Sequence, residues 1–148
     1  MLKKAVMTFV VLVATFLSGC SAIPMASEEK DAQVKSFVAH PEKANLYIYR
    51  NEFIGGAVRM EVEIDGRKVG QTGPKTYFAL QVPPGDHTIV SKAENDSTLS
   101  VTTEAGKNYF VWQEVKMGIL YARNKLQLVD EAAGKAGVAE CKLIDVPN

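Results

Sequence analysis

Hydrophobic and polar positions divide the chain into stretches of different period. Residues 5–17 are apolar apart from Thr8 and Thr15 and show no alternation. Residues 28–38 are charged, with Val34, Phe37 and Val38 at helical spacing. Ser27 supplies an N-cap for a short amphipathic helix there, and His40-Pro41 ends it. From Asn45 the period falls to two. In the clearest segment Val58, Met60, Val62 and Ile64 alternate with Arg59, Glu61, Glu63 and Asp65. That pattern predicts a strand with one face on a core and one in water.

Further strands are predicted over residues 46–50, 67–69, 76–82, 86–92, 99–103, 108–116 and 125–130. Their punctuation is Asp65-Gly66, Pro83-Pro84-Gly85, Glu94-Asn95-Asp96 and Ala105-Gly106, all turn formers. Residues 131–140 read as a glycine-interrupted helix or loop, and 140–144 as a closing strand. Seven to eight short strands at regular spacing predict an all-β fold, a single antiparallel β-sandwich. The division is 1–19 as a signal peptide, 20–44 as a lipidated tether with the short helix, and 45–148 as the sandwich domain.

The first twenty residues predict an address. Lys3 and Lys4 precede the apolar run, which is shorter than the roughly 20 residues a spanning helix needs. The exit Leu17-Ser18-Gly19-Cys20 resembles a bacterial lipobox. That resemblance implies cleavage between Gly19 and Cys20, a diacylglyceryl thioether on the Cys20 sulfur and an acylated amino group. Several acyl chains on one residue make a stable anchor, where one chain holds only marginally. An uncleaved signal anchor is the competing reading, but Ser18, Gly19, Ser21 and Pro24 dilute the apolar run. Ser21 rather than Asp after the lipidated cysteine implies sorting to the outer membrane of a Gram-negative cell, with the domain in the periplasm.

Several fragments carry a second resemblance. They are Tyr47-x-Tyr49-Arg50, Val62-x-Ile64-Asp65-Gly66-x-x-Val69-Gly70, Pro84-Gly85-x-His87-Thr88-Ile89 and Ala105-Gly106-x-x-Tyr109-Phe110-Val111. Together they resemble a bacterial lipoprotein family of unknown function, DUF2846, over about residues 44–130. The Ile-Asp-Gly to Pro-Gly-x-His core also resembles PEGA domains, small sandwiches of bacterial envelope proteins. Both resemblances imply a sandwich and an envelope location; neither supplies a catalytic residue.

Composition narrows the function classes. The 17 basic and 17 acidic residues balance, so no basic excess points to nucleic acid. Removal of residues 1–19 leaves 129 residues with 15 basic and 17 acidic, a charge that does not draw the domain to anionic lipid. Two cysteines exclude a disulfide scaffold or a four-cysteine metal site. No motif implies a cofactor.

Candidate chemistry is sparse. Asp86, His87 and Cys141 form a conceivable metal trio for a metal-assisted hydrolase, but no HxH, HxxxH or CxxC pair fixes ligand geometry. A strand histidine bonded to a nearby carbonyl is the preferred reading of His87, and His40 sits in a predicted loop. Cys141 reads as a buried thiol rather than a reactive one. Asp65, Asp86 and Asp96 read as turn residues.

Two loops are unusually apolar. One carries Phe53 and Ile54, the other Ile119, Leu120 and Tyr121. The expected outcome is that they fold over an open end of the sandwich; the alternative is an interaction patch for a partner or an apolar ligand. The strands at 46–50 and 108–116 are apolar on both faces, which predicts central positions covered twice, the second time by the 28–38 helix. The leading expectation is a non-catalytic envelope interaction module with a protein partner, held to a membrane through Cys20. A hydrolase around His87 and a carrier of an apolar ligand are its rivals.

Overall fold

Strand β1 (Ala44–Arg50) is buried along its whole length, so both of its faces must be covered. In the computed structural model, which describes residues 22–53 and 58–147, it occupies the middle of a five-stranded sheet. The expected signal segment 1–19, Cys20, Ser21 and Ile54 lie outside the described residues. The other strands are β2 (Met60–Ile64), β3 (Arg67–Thr72), β4 (Thr76–Val82), β5 (Gly85–Lys92) and β6 (Asp96–Thr103). They are followed by β7 (Asn108–Met117), β8 (Ala122–Val129) and β9 (Lys142–Leu143). Helix α1 covers Glu28–Val34 and helix α2 covers Glu131–Ala139. The sheets run β8-β7-β1-β4-β9 and β3-β2-β5-β6.

The all-β sandwich is the observed fold, with nine strands rather than seven or eight among the described residues. The sheets are not uniformly antiparallel. β1 pairs parallel with β7, and β9 parallel with β4, so the larger sheet is mixed. Parallel neighbours need long connections, which here run through the second sheet and through α2.

The inner faces enclose the main core. Leu46 and Ile48 from β1, Phe78 from β4 and Val111 from β7 meet Val62 and Ile89 from the second sheet. The alternation read in residues 58–65 holds, since Met60 and Val62 are fully buried while Glu61 and Glu63 reach solvent and pair with Lys68 and Lys92. Asp65 and Gly66 both have positive φ, 51° and 77°, as a two-residue hairpin turn requires.

At one end the core turns polar. Thr72 Oγ1 donates to Gln113 Oε1 (2.6 Å), and Gln113 Nε2 donates to Ser91 Oγ (2.6 Å). Asn124 Nδ2 reaches the Ser91 and Asn95 carbonyls. Arg50, wholly buried, donates through Nη1 to the Val58 carbonyl (2.7 Å). Burial raises the pKa of neighbouring Glu52, with the Arg50 charge opposing it. A buried network of this kind stabilises when its members are paired and costs heavily when one is removed.

The outer face of the large sheet is aromatic. Tyr47 and Phe110 stack with centroids 4.9 Å apart, and Phe37 meets both edge-on at 5.3 and 5.7 Å. The expected helix over 28–38 is shorter than its apolar spacing suggests. Ser27 Oγ caps it by accepting from Lys30 N (3.2 Å), but it ends at Val34. Phe37 then adopts a positive φ of 55°, where it lies on the aromatic row, and Val38 stays exposed. Most of the second layer is supplied instead by α2. Its Gly134 lies on the Phe110 ring and its Gly137 on the Tyr49 ring, so closely that a Cβ at either would overlap ring carbons. Glycine costs a helix about 1 kcal/mol relative to alanine, and the approach of the rings offsets that cost.

One seam between the sheets is closed by β8 against β6, where Leu126 N donates to Ser97 Oγ (2.9 Å). Among the described residues no helix is long and apolar enough to cross a membrane. Gly137→Ala is expected to destabilise the domain by about 2 kcal/mol, because the Tyr49 ring cannot retreat from a full sheet. Urea denaturation followed by Trp112 fluorescence measures this, and a loss below about 0.5 kcal/mol would contradict the close approach.

Candidate functional site

Strand directions gather four connections at one end of the sandwich. Arg50 ends β1 opposite Thr76, which begins β4, and β7 runs parallel to β1 to its end at Met117. In the second sheet Met60 lies opposite Thr72, and Glu61 opposite Lys92. Residues 51–53 and 58–59 and the loops at 73–75, 93–95 and 118–121 therefore share that end.

The expectation that the apolar loops fold inward is overturned for each described large apolar side chain in them. Phe53 is 73% exposed, Ile119 89%, Leu120 83% and Tyr121 53%, and Met117 beside them is 86% exposed. The reason is local. The core beneath is already filled, by the small apolar cluster of Met60, Val115 and Ala122 and by the Gln113–Ser91–Asn124 network.

The β7–β8 loop is held outward by one carboxylate. Glu94, in the β5–β6 turn, accepts from Ile119 N (2.9 Å), Leu120 N (3.2 Å) and Tyr121 N (3.2 Å). Its own N–H donates to the Ala122 carbonyl (3.0 Å). Three consecutive N–H groups pointing at one anion form a concave receptor, filled here from within the chain. The N–H groups of Tyr121 and Ile119, then that of Leu120, hold the Glu94 pKa below its ordinary value. With the backbone fixed, the three side chains point to solvent. Residues 94–96 read from sequence only as a polar turn; Glu94's partners lie 25 to 27 residues away, and no local signal marks them.

The Phe53 loop is tied at its start, where Trp112 Nε1 donates to Asn51 Oδ1 (3.1 Å). Lys75 Nζ lies 5.3 Å from the Phe53 ring centre. A cation over an exposed ring contributes about 0.5–1 kcal/mol, enough to bias its position without burying it.

The chemistry-bearing residues are dispersed. His87 Nδ1 lies 2.7 Å from Asp65 Oδ2, and Nε2 lies 2.7 Å from the Pro83 carbonyl oxygen. Both partners only accept, so the ring is best satisfied as a doubly protonated imidazolium. Burial pulls its pKa down, but the Asp65 carboxylate and the Pro83 carbonyl outweigh burial and raise it. Asp65 Oδ1 also accepts from Thr88 N (2.9 Å), and its carboxyl is held low by His87 and by that N–H. Asp86 accepts instead from Thr102 Oγ1 (2.6 Å).

Cys141 sits between α2 and β9, buried, with Sγ 3.3 Å from the Gly137 carbonyl oxygen. Burial pushes its thiol up to about 12. It lies in the aromatic layer outside the large sheet, whereas His87 lies in the second sheet. The metal trio is therefore not assembled, and no other group of three suitable ligands exists among the described residues. His40 Nδ1 accepts from Glu42 N and Lys43 N, each 3.1 Å away, and so serves its own loop.

The described residues also form a trough and a cleft at the surface. A trough of about 790 Å³ lies between α1 and β4, lined by Lys30, Val34, Val38, Lys43, Tyr47 and Leu80 among others. A cleft of about 360 Å³ follows the β3 side of the molecule beside Ala22 and Ile23.

The family described as protein of unknown function, DUF2846, matches residues 40–124, more than half of the chain. The chain belongs to the DUF2846 family. A relative from Haemophilus influenzae, described as an uncharacterized protein, is 38% identical over 134 residues, which span 88% of this chain and 79% of that protein. The region matched to DUF2846 takes in Asp65, His87, Glu94 and the 118–121 loop. It stops short of α2 and β9, which cover the aromatic face.

Two outcomes test this geometry. The raised His87 pKa means that its share of stability is complete below about pH 6.5, the ordinary histidine value, and is lost as pH rises through the folded value. The depressed Asp65 share is present above its ordinary value and is lost as pH falls through the folded one. Asp65→Asn is expected to lower the His87 pKa by about one pH unit in an NMR titration, and an unchanged midpoint would refute the pairing.

Glu94→Ala is expected to speed amide exchange at residues 119–121 about tenfold, with little change in global melting. In the parent protein the same tie weakens as pH falls through the Glu94 value. Equal exchange in parent and variant would show that the carboxylate does not hold the loop.

Proposed function

We propose that this DUF2846 protein is a lipoprotein of the cell envelope that works by contact rather than by catalysis. In this reading residues 1–19 are removed, Cys20 carries the acyl chains, and the domain faces the periplasm from the outer membrane. The observation that carries the contact function is the exposure of Phe53, Ile119, Leu120 and Tyr121 at one end of the sandwich. Monomeric domains seldom expose large apolar side chains in a group without using them. The preset backbone of 119–121 lowers the ordering cost of binding, because Glu94 has already fixed it. The partner this patch fits is an envelope protein offering an apolar recess.

The doubly engaged His87 ring gives little support to a hydrolase, since neither ring nitrogen is open to a substrate or a metal. A carrier of an apolar ligand is the second reading, favoured by the trough beside α1. That trough is open and carries Lys30 and Lys43, so an amphiphile suits it better than a hydrocarbon.

The test uses a photo-crosslinking amino acid at Leu120 in living cells, with Ser100 on β6 as the control position. The expected result is a discrete protein adduct from position 120 and none from position 100. Mass spectrometry of the same material is expected to find the acyl mass on an N-terminal peptide that begins at Cys20. Identical adduct patterns at both positions would remove the contact function. A free Cys20, or an intact residue 1–19 segment, would remove the anchor.

A further inference from the structure

Residues that the sequence presents as a tether are part of the folded body. Met25 pairs antiparallel with Ile144 beside β9. Ala26 N donates to the Leu143 carbonyl (2.9 Å), and Asp145 N donates to the Pro24 carbonyl (2.7 Å). Lys30 Nζ reaches Asp145 Oδ1 (2.7 Å) from the following helix. Ile23 is partly buried against the core between the sheets, and a Cβ on Gly73 would come within 2.9 Å of its Cδ1. The chain from residue 22 to 26 thus lies along the β9 edge through one antiparallel bridge and its flanking hydrogen bonds, with Ile23 packed against the core between the sheets.

This placement has a consequence for the anchor proposed above, on which the inference rests. Cys20 precedes Ala22 by two residues, a reach of about 7 Å when fully extended. Ala22 lines the cleft together with Arg59 and Lys68, and both cations are exposed. Lys68 is paired with Glu61 (2.6 Å), while Arg59 enters no ion pair among the described residues.

The β7–β8 tip lies elsewhere. Four strand spacings, roughly 19 Å, separate the docked segment from β7. Met117 lies five residues, about 17 Å, beyond the level at which Trp112 pairs with Tyr49. The docked segment is antiparallel to β9 and β4 and so runs the same way as β7, which puts residue 22, ahead of Met25, toward the start of β7 and away from Met117. Residue 22 and the apolar tip therefore occupy opposed corners of the large sheet.

We infer that the docked segment 22–26 seats the β3 face, with Arg59 and Lys68, on the phospholipid headgroup layer that holds the Cys20 acyl chains, and turns the Ile119–Leu120–Tyr121 tip away from that layer. The body is held in one orientation rather than swinging on a leash. The cations act only at short range, since the mature chain carries more acidic than basic residues and is not drawn to anionic lipid from a distance. Once the lipid fixes the distance, Arg59 and Lys68 meet phosphate.

The experiment uses the full chain, processed and acylated in cells, then placed in phosphatidylethanolamine–phosphatidylglycerol vesicles. A fluorophore is attached at Arg67→Cys, on the exposed start of β3, or at Leu120→Cys. Buried Cys141 does not compete for the label. With a nitroxide on the lipid headgroups, quenching at position 67 is expected to exceed that at position 120 by about threefold. Ile23→Ser, which undocks the segment, is expected to make the two positions equal.

Equal quenching in the parent protein would overturn the fixed orientation, and so would a difference that survives Ile23→Ser. Stronger quenching at position 120 would make the tip itself the membrane contact. In all of these cases the protein still floats with the vesicles. Failure to float, with no acyl mass on Cys20, is the separate failure of the anchor.

Discussion

The structure depends on keeping both faces of β1 out of water. Leu46, Ile48 and Arg50 point into the space between the sheets, while Tyr47 and Tyr49 point the opposite way. A single sandwich interface can dry only one of those faces. The second layer, made of Phe37 and α2, is a requirement of that strand rather than an ornament on the domain. It explains the two glycines of α2, which let rings lie on the helix backbone, and it explains the burial of Cys141 beneath the helix C-terminus.

Closing the sandwich leaves a small set of exposed apolar groups. One seam is closed by β6 against β8, and Ile23 packs against the core between the sheets beside the β9 edge, so neither of these sheet edges is left wholly free. At the loop end the inner space is filled by the small apolar cluster of Met60, Val115 and Ala122 and by the polar network of Thr72, Gln113, Ser91 and Asn124. Apolar loop residues at that end have no core to enter. Glu94 then makes the exposure specific, because it binds the backbone of 119–121 and leaves the side chains outward. The same turn that reads as filler in the sequence presents the candidate contact surface.

The opposite end shows how little of the titratable chemistry is available for reaction. His87 is drawn into a hairpin clamp by Asp65 and the Pro83 carbonyl, joining the β2–β3 turn to the β4–β5 turn. The Pro-Gly-x-His fragment that carries the family resemblance therefore has a structural explanation. The histidine ties two turns together, and the Pro-Pro pair ends β4 where its carbonyl can accept.

Local pattern was sufficient for the strands, the Asp65-Gly66 turn, the Ser27 cap and the sandwich class, because alternation and turn chemistry act over a few residues. The family fragments are also contiguous, so they too were legible. Parallel pairing of β1 with β7, and the choice of α2 over a longer α1 as the covering layer, were decided by contacts between segments far apart in the chain, such as Tyr47 with Phe110 and Gly137 with Tyr49. The outward set of Phe53 and Ile119–Tyr121 was likewise decided at a distance, by a core already filled beneath them and by Glu94. So was the docking of residues 22–26, since an uncharged stretch looks like a tether until the β9 edge lies beside it. Periodicity tells which side of an element avoids water, but only the assembled molecule tells what is there to cover it.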